Sequence, residues 1–288
     1  MASVGGSLNP TAAGVAEKPA SDGAANNVAL RQAKRIDLAA SILLGISATV
    51  LLEVLSRIGF VPQLIIPAPT EIAYALYDGF SSGILVDHTI STVGSTIGGF
   101  VIGSIAALLV ASLLAVLPRL ERICLPYIVA FQTLPKIAIA PVLILWFGYG
   151  LNAKLAIVIA VAFFPMMLNA LAGLRVRKRD ELDLMNSLGA SRFQIYRYIR
   201  LPNAMPYIFT GLHLGAVYSL LGAVTAEFLG SASGLGYIML QQRASFNTPA
   251  VFAILLLLMV IGTSLHLAMK YLEHHAVFWS RDATETKI

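Results

Sequence analysis

Residues 89–118 run for thirty positions without a single Asp, Glu, Lys or Arg. An α-helix needs about 20 apolar residues to cross a bilayer, so this run commits the chain to membrane helices. Five further apolar stretches repeat the signal, at about 38–58, 123–148, 155–174, 207–226 and 251–269. With 57% hydrophobic and 12% charged residues, the chain departs from the roughly 25% charge of soluble domains. The expected fold class is therefore all-α, a polytopic membrane protein with six transmembrane helices. The net charge of +5 does not call for nucleic acid, because the basic residues sit in short loops beside apolar spans and serve topology. The single cysteine, Cys124, excludes an intrachain disulfide and any Cys-based metal site.

Residues 1–35 are rich in Ala, Gly, Ser and Asn and read as a disordered tail, with 36–275 as the membrane domain and 276–288 as a second tail. Six spans put both termini on one side. If that side is the cytoplasm, 16 of the 20 Lys and Arg residues lie inside and only Lys154 and Arg243 outside, which fixes the orientation. Glu53 and Arg57, four residues apart in the first span, can offset one another. Residues 59–88 carry Pro62, Pro67 and Pro69 and a short amphipathic stretch, expected at the outer interface. Gly94 with Gly98 and Gly99 with Gly103 are GxxxG spacings that let a second helix approach closely.

The longest polar interruption is 180–202, DELDLMNSLGASRFQIYRYIRLP. Asp180 can cap a first short helix that Gly189 stops. Ser191 with Gln194 has capping-box spacing for a second helix, whose end Pro202 marks. Leu182, Met185 and Leu188 on the first helix and Ile195, Tyr196 and Ile199 on the second give each a face to bury. A helix-turn-helix reading lacks a third helix and a core. No HExxH, GxSxG or CxxC occurs, His213 and His266 stand in different spans without an evident partner, and no GxxxxGK[ST] is present. The chain therefore is not expected to be an enzyme or to bind ATP itself.

The run Asp183-Leu184-Met185, three residues, Gly189, nine residues, Ile199-Arg200-Leu201-Pro202 resembles the EAA loop of ABC-importer permeases. LPKIAIAPVLILWFGYG at 134–150, LNALAGLR at 168–175 and AEFLGSASGLGYIM at 226–239 resemble the nitrate, sulfonate and taurine branch of that family. The departure is in the triplet itself, where Leu184 and Met185 replace two alanines. The resemblance implies the type I ABC importer permease fold in a bacterial inner membrane, a homodimer among lipid, a cytoplasmic ABC ATPase dimer and an extracytoplasmic solute-binding protein. It places ATPase coupling on Asp183, Leu184, Met185, Gly189, Ala190, Ile199, Leu201 and Pro202. ATP and Mg would be bound by the partner ATPase, and this chain would hold no cofactor or metal.

The expected solute is small and anionic, of the sulfonate, nitrate or taurine kind; an uncharged or heteroaromatic solute is the alternative. A stand-alone channel or secondary carrier is the reading from another class. Lys136, about 13 residues into the third span, is expected deep in the membrane, where it either meets the solute or bonds carbonyls freed by Pro135 and Pro141. Glu227 either lines the outer gate or caps the loop beginning at Gly230. His213 completes the candidate substrate path.

Overall fold

A computed structural model describes residues 21–59, 62, 64–176 and 179–277, and every regular element among them is helical. Residues 1–20 and 278–288, where most of the two expected tails fall, lie outside the described residues. The first helix, α1 (Ser21–Arg57), starts well ahead of its apolar span Ala39–Arg57. Its far end is tied to α2 (Pro69–Ser81) through Glu53, which also makes the expected i,i+4 pair with Arg57. The Glu53 carboxylate accepts from Arg57 Nε at 2.5 Å, from the Thr70 backbone N–H at 3.1 Å and from the Thr70 hydroxyl at 2.9 Å.

The body of the bundle is α3 (Ile84–Val116), α6 (Leu151–Arg175) and α9 (Leu201–Gly230), which pack along one another. Lipid gives no hydrophobic push between helices, so association depends on close packing by small residues. The core is accordingly built around Ala107, Ala111, Ala162, Ala170 and Ala204, with Met166 among them. Of the glycine spacings, Gly99 and Gly103 face α6, whereas Gly94 meets open space. A Cβ on Gly99 would lie 2.3 Å from Val158 Cγ1, and Val158 is a fully buried, β-branched residue with nowhere to go. Gly99→Leu should therefore cost about 1–3 kcal/mol by overpacking. A lower unfolding temperature for Gly99→Leu beside an unchanged one for Gly94→Leu is the expected thermal-shift result; equal effects would contradict it.

Between α3 and α6 the proline-interrupted span that the sequence suggests is sharply divided. It forms α4 (Pro118–Thr133) and α5 (Lys136–Phe147), bent by 94° at Leu134 and Pro135. The cause is local: the pyrrolidine of Pro135 pushes Leu134 out of the helical region, to φ −62° and ψ 136°. Lys136 is thus the first residue of a new helix rather than the midpoint of a continuous one. Among the described residues, five helices are long and apolar enough to cross a membrane, and the bent pair makes a sixth if it counts as one span.

The segment after α6 also differs in part from expectation. A short helix α7 (Arg179–Ser187) begins one residue before Asp180 and ends at Gly189. Gly189 has φ +70°, and its N–H bonds to Asn186 O while Ala190 N–H reaches Met185 O. This is the paired bonding of a Schellman end, which an L side chain in the left-handed region would strain. The capping box then opens α8 (Arg192–Ile195), with Ser191 N–H on Gln194 Oε1 at 2.7 Å and Gln194 N–H on Ser191 Oγ at 3.3 Å.

Pro202 does not stop this second helix, contrary to its expected role. A π-helical turn, Tyr196–Arg200, joins α8 to α9, and Leu201 N–H bonds five residues back to Tyr196 O. Proline lacks the N–H that a regular helix uses, and placed in the first turn after the widened π segment it leaves no intended bond unmade. Helix therefore runs unbroken from Arg192 to Gly230. Beyond it lie α10 (Leu235–Ala244), a helix hidden in the sequence by its glycines, and α11 (Thr248–Ala276). The two pack on each other and on α3 and α9 through Leu85, Leu235, Ile238 and Ile254.

Candidate functional site

Three polar constellations stand out against this apolar frame. The first joins the α7–α8 segment to the bundle. Glu181 Oε2 accepts from Asn203 Nδ2 at 2.8 Å, Arg200 Nη1 donates to Ala115 O at 3.1 Å, and the Tyr196 and Ser112 hydroxyls are 2.8 Å apart. Arg175 pairs with Glu121 beside them. These bonds hold the base of the segment while its tip stays bare. Leu184, Leu188, Phe193 and Tyr198 are 62%, 73%, 72% and 69% exposed, an apolar knob flanked by Asp183, Arg192 and Arg197. Met185, Ala190 and Ile199 are half-buried on the inner side, Gly189 forms the exposed turn, and Leu201 and Pro202 sit where the π turn enters α9.

The second lies at the α4–α5 bend. A recess of about 410 Å³ opens there between Gln132, Lys136, Tyr218, Thr225 and Pro165. Lys136 Nζ stands 5.5 Å from the centre of the Phe164 ring and 3.4 Å from Gln132 O. The ammonium thus does bond a carbonyl near the proline break, and it also borders the recess. Tyr218, Leu221 and Thr225 stand at three- and four-residue steps on α9, so they share one face.

The third, at the opposite end of α9 from the knob, centres on a buried ion pair. Lys154, which the sequence puts in an outside segment just before the fourth span, is buried in the first turn of α6 and pairs with Glu227 at 3.2 Å. The pair's side chains are 3% and 0% exposed. Lys154 Nζ also donates to Ser91 Oγ at 3.0 Å and to the Ser233 carbonyl at 2.6 Å. Glu227 accepts from the Thr92 hydroxyl at 2.9 Å and from Gly236 N–H at 2.8 Å.

Thr92 in turn accepts from Leu235 N–H at 2.8 Å, and His88 Nδ1 accepts from Gly234 N–H at 2.9 Å. Three successive N–H groups at the start of α10, orphans in any helix, are thereby satisfied by α3 and α9. The Glu227 carboxylate sits at the start of α10, where the helix dipole favours negative charge. Gly234, at φ +112°, has no room for a side chain: a Cβ there would lie 1.9 Å from Glu227 Oε1. With every charge paired and no nucleophile beside a free base, this cluster fastens the 231–234 loop and does no chemistry. The serine and threonine spacing on α3 was its only sequence signal.

His213 is not alone. Its Nε2 donates to Glu273 Oε2 at 2.9 Å, and its ring lies 5.2 Å from that of His266. The contact staples α9 to α11 and is remote in sequence from Lys136. Among the described residues no three His, Cys, Asp or Glu side chains are grouped to hold a metal ion.

The family model "Binding-protein-dependent transport system inner membrane component" matches residues 88–277, from His88 of the polar clasp around Glu227 to the residue that follows α11. The chain belongs to this family. Relatives of the permease include the riboflavin transport system permease protein RibX of Chloroflexus aurantiacus, 34% identical over 76% of this chain and 81% of the relative. The formylaminopyrimidine transport permease protein ThiX of Halalkalibacterium halodurans is 31% identical over 81% and 92%. A putative aliphatic sulfonates transport permease protein SsuC of Bacillus subtilis is 29% identical over 79% and 82%.

The fold matches an inward-facing crystal form of the MetNI methionine ABC transporter with a TM-score of 0.62 at 20% identity, over 68% of this chain and 97% of that one. The expected type I importer permease fold is thus present. The permease is a multi-pass inner-membrane transport subunit and not an enzyme. ATP hydrolysis belongs to a separate partner of the importer, and solute delivery to a binding protein.

Proposed function

We propose that two copies of this permease line a path for a small, planar, acceptor-bearing heteroaromatic solute. The observation that carries the reading is the recess at the helix break, where Lys136 and Gln132 offer donors next to Tyr218 and Thr225. One chain supplies one wall only. Leu214, Val217, Leu221 and Leu229 on the same side of α9 are 42–55% exposed, an apolar strip that a second copy would cover. The relatives at 34% and 31% identity are named for riboflavin and formylaminopyrimidine, both ring compounds. A sulfonate is the second reading, favoured by the positive charge of Lys136 and by the relative at 29%.

The distribution of basic residues supports termini in the cytoplasm, so the knob of α7 and α8 faces the ATPase and the clasp faces outward. In that arrangement the coupling residues are Asp183, Leu184, Met185, Gly189 and Ala190, with Ile199, Leu201 and Pro202 carrying the motion into α9. Lys136→Gln removes a charged donor worth about 1.5–3 kcal/mol, so uptake of solute by reconstituted proteoliposomes should fall roughly 10- to 100-fold. Basal ATP hydrolysis should be retained. Uptake at the wild-type rate would remove Lys136 from the path.

A further inference from the structure

Beside the clasp, on the side away from α3, lies a second recess of about 540 Å³, lined by Tyr149, Phe228, Tyr237 and Gln241 and by the backbone of 230–232. We infer that this is the entry site of the path, where the solute's ring is received by stacking between aromatic side chains and its N–H groups by backbone carbonyls. The inference rests on the permease reading above and names a site that reading does not use.

The chemistry follows from what each wall offers. Tyr149 stands after α5 and is 83% exposed, and Phe228 is 40% exposed at the last turn of α9. Tyr237 comes from α10, its hydroxyl accepting from Gln241 Nε2 at 2.7 Å. Three rings from three elements thus border one space, and aromatic pairs favour stacked or edge contacts at 4.5–7 Å between centroids. The floor is the carboxyl end of α9, which passes into extended Ser231 (φ −131°, ψ 151°) with no capping N–H. Its last carbonyls are therefore free acceptors at the negative end of a helix dipole.

No Lys or Arg is among the described residues that line the space. Lys154, in the neighbouring clasp, is spent on Glu227, Ser91 and Ser233. Glu227, which borders the recess, turns its carboxylate to Lys154, Thr92 and Gly236. A site with π faces, free carbonyls and no available positive charge suits a neutral ring bearing N–H donors and disfavours an anion. The clasp keeps it in shape, because Glu227 and Gly236 fix the spacing between Phe228 and Tyr237.

The test uses the full permease with its ATPase in lipid nanodiscs and lumichrome, a neutral planar heteroaromatic whose fluorescence is quenched on stacking with tyrosine. Saturable quenching is expected, displaced by uracil and not by taurine. Tyr149→Ala and Tyr237→Ala should each raise the half-saturation concentration roughly tenfold. Tyr149→Phe should bind as the parent does, with an unchanged thermal unfolding temperature reporting that each variant is folded. Quenching unchanged in both alanine variants, or displacement by taurine as readily as by uracil, overturns the inference and leaves the permease reading standing. A chain that captures no ATPase overturns the reading itself.

Discussion

Glu227→Ala should lose about 3–5 kcal/mol of stability, the largest effect of any single change outside the glycines, because it strands a buried ammonium. Lys154 is 2% exposed, and without the carboxylate its charge would keep only the Ser91 hydroxyl and the oxygens of Ser233. Gly236 N–H would lose its acceptor as well, and the Thr92 hydroxyl would keep only His88 O. Removing both charges is expected to be milder than removing one, since a buried ion pair replaced by apolar groups of similar size is often neutral. Thermal unfolding of detergent-solubilised protein should thus rank the parent first, then Lys154→Met with Glu227→Leu, then Glu227→Ala. If the double variant proves no more stable than Glu227→Ala, the ion pair is not the source of the loss.

Leu184→Asp and Phe193→Asp are expected to leave stability within about 0.5 kcal/mol, as exposed substitutions do, and yet to abolish function. Both residues are more than 60% exposed on the knob, where a partner's groove would desolvate them. Anchors of this kind contribute on the order of 2–4 kcal/mol each to an interface. The ATPase should therefore co-purify with the parent and be lost from either variant, and uptake should fall on the order of 100-fold or more. Retention of the ATPase by both variants would move the coupling surface elsewhere. The bulk of Leu184 and Met185 at positions where the family's motif has alanines makes this the natural place for the pair to be matched.

The helical bundle was legible because lipid demands long apolar helices, and 89–118 admits nothing else. The Gly189 turn and the Ser191 box were equally plain, since each depends on a few neighbouring residues. What escaped was decided by contacts between distant segments. Lys154 beside a predicted loop looks like an ordinary boundary charge, and only the fold brings Glu227, 73 residues away, against it. His213 and His266 looked solitary because their common neighbourhood, with Glu273 on α11, is tertiary. The bend at Pro135 was misjudged for a different reason: a proline within a membrane helix can kink it or break it, and the sharpness depends on what receives the two halves. Pro202 was misread because a π turn, which has no simple sequence signature, absorbs it.

That absorption has a mechanical corollary. The 39 residues from Arg192 to Gly230 make a rod of about 58 Å, taking 1.5 Å per residue. One end carries Phe193 and the other Glu227. A stiff rod cannot shorten, so a displacement of the knob reaches the outer clasp as axial travel or as a swing about some pivot along the shaft. The pliant stretch is at the base, where the π turn, Pro202 and Pro206 lie within eleven residues; above it the shaft has no proline. A force applied at the knob would thus reach the clasp in a single piece, with its direction set near Pro202 and its amplitude set by where α3 and α6 grip the shaft.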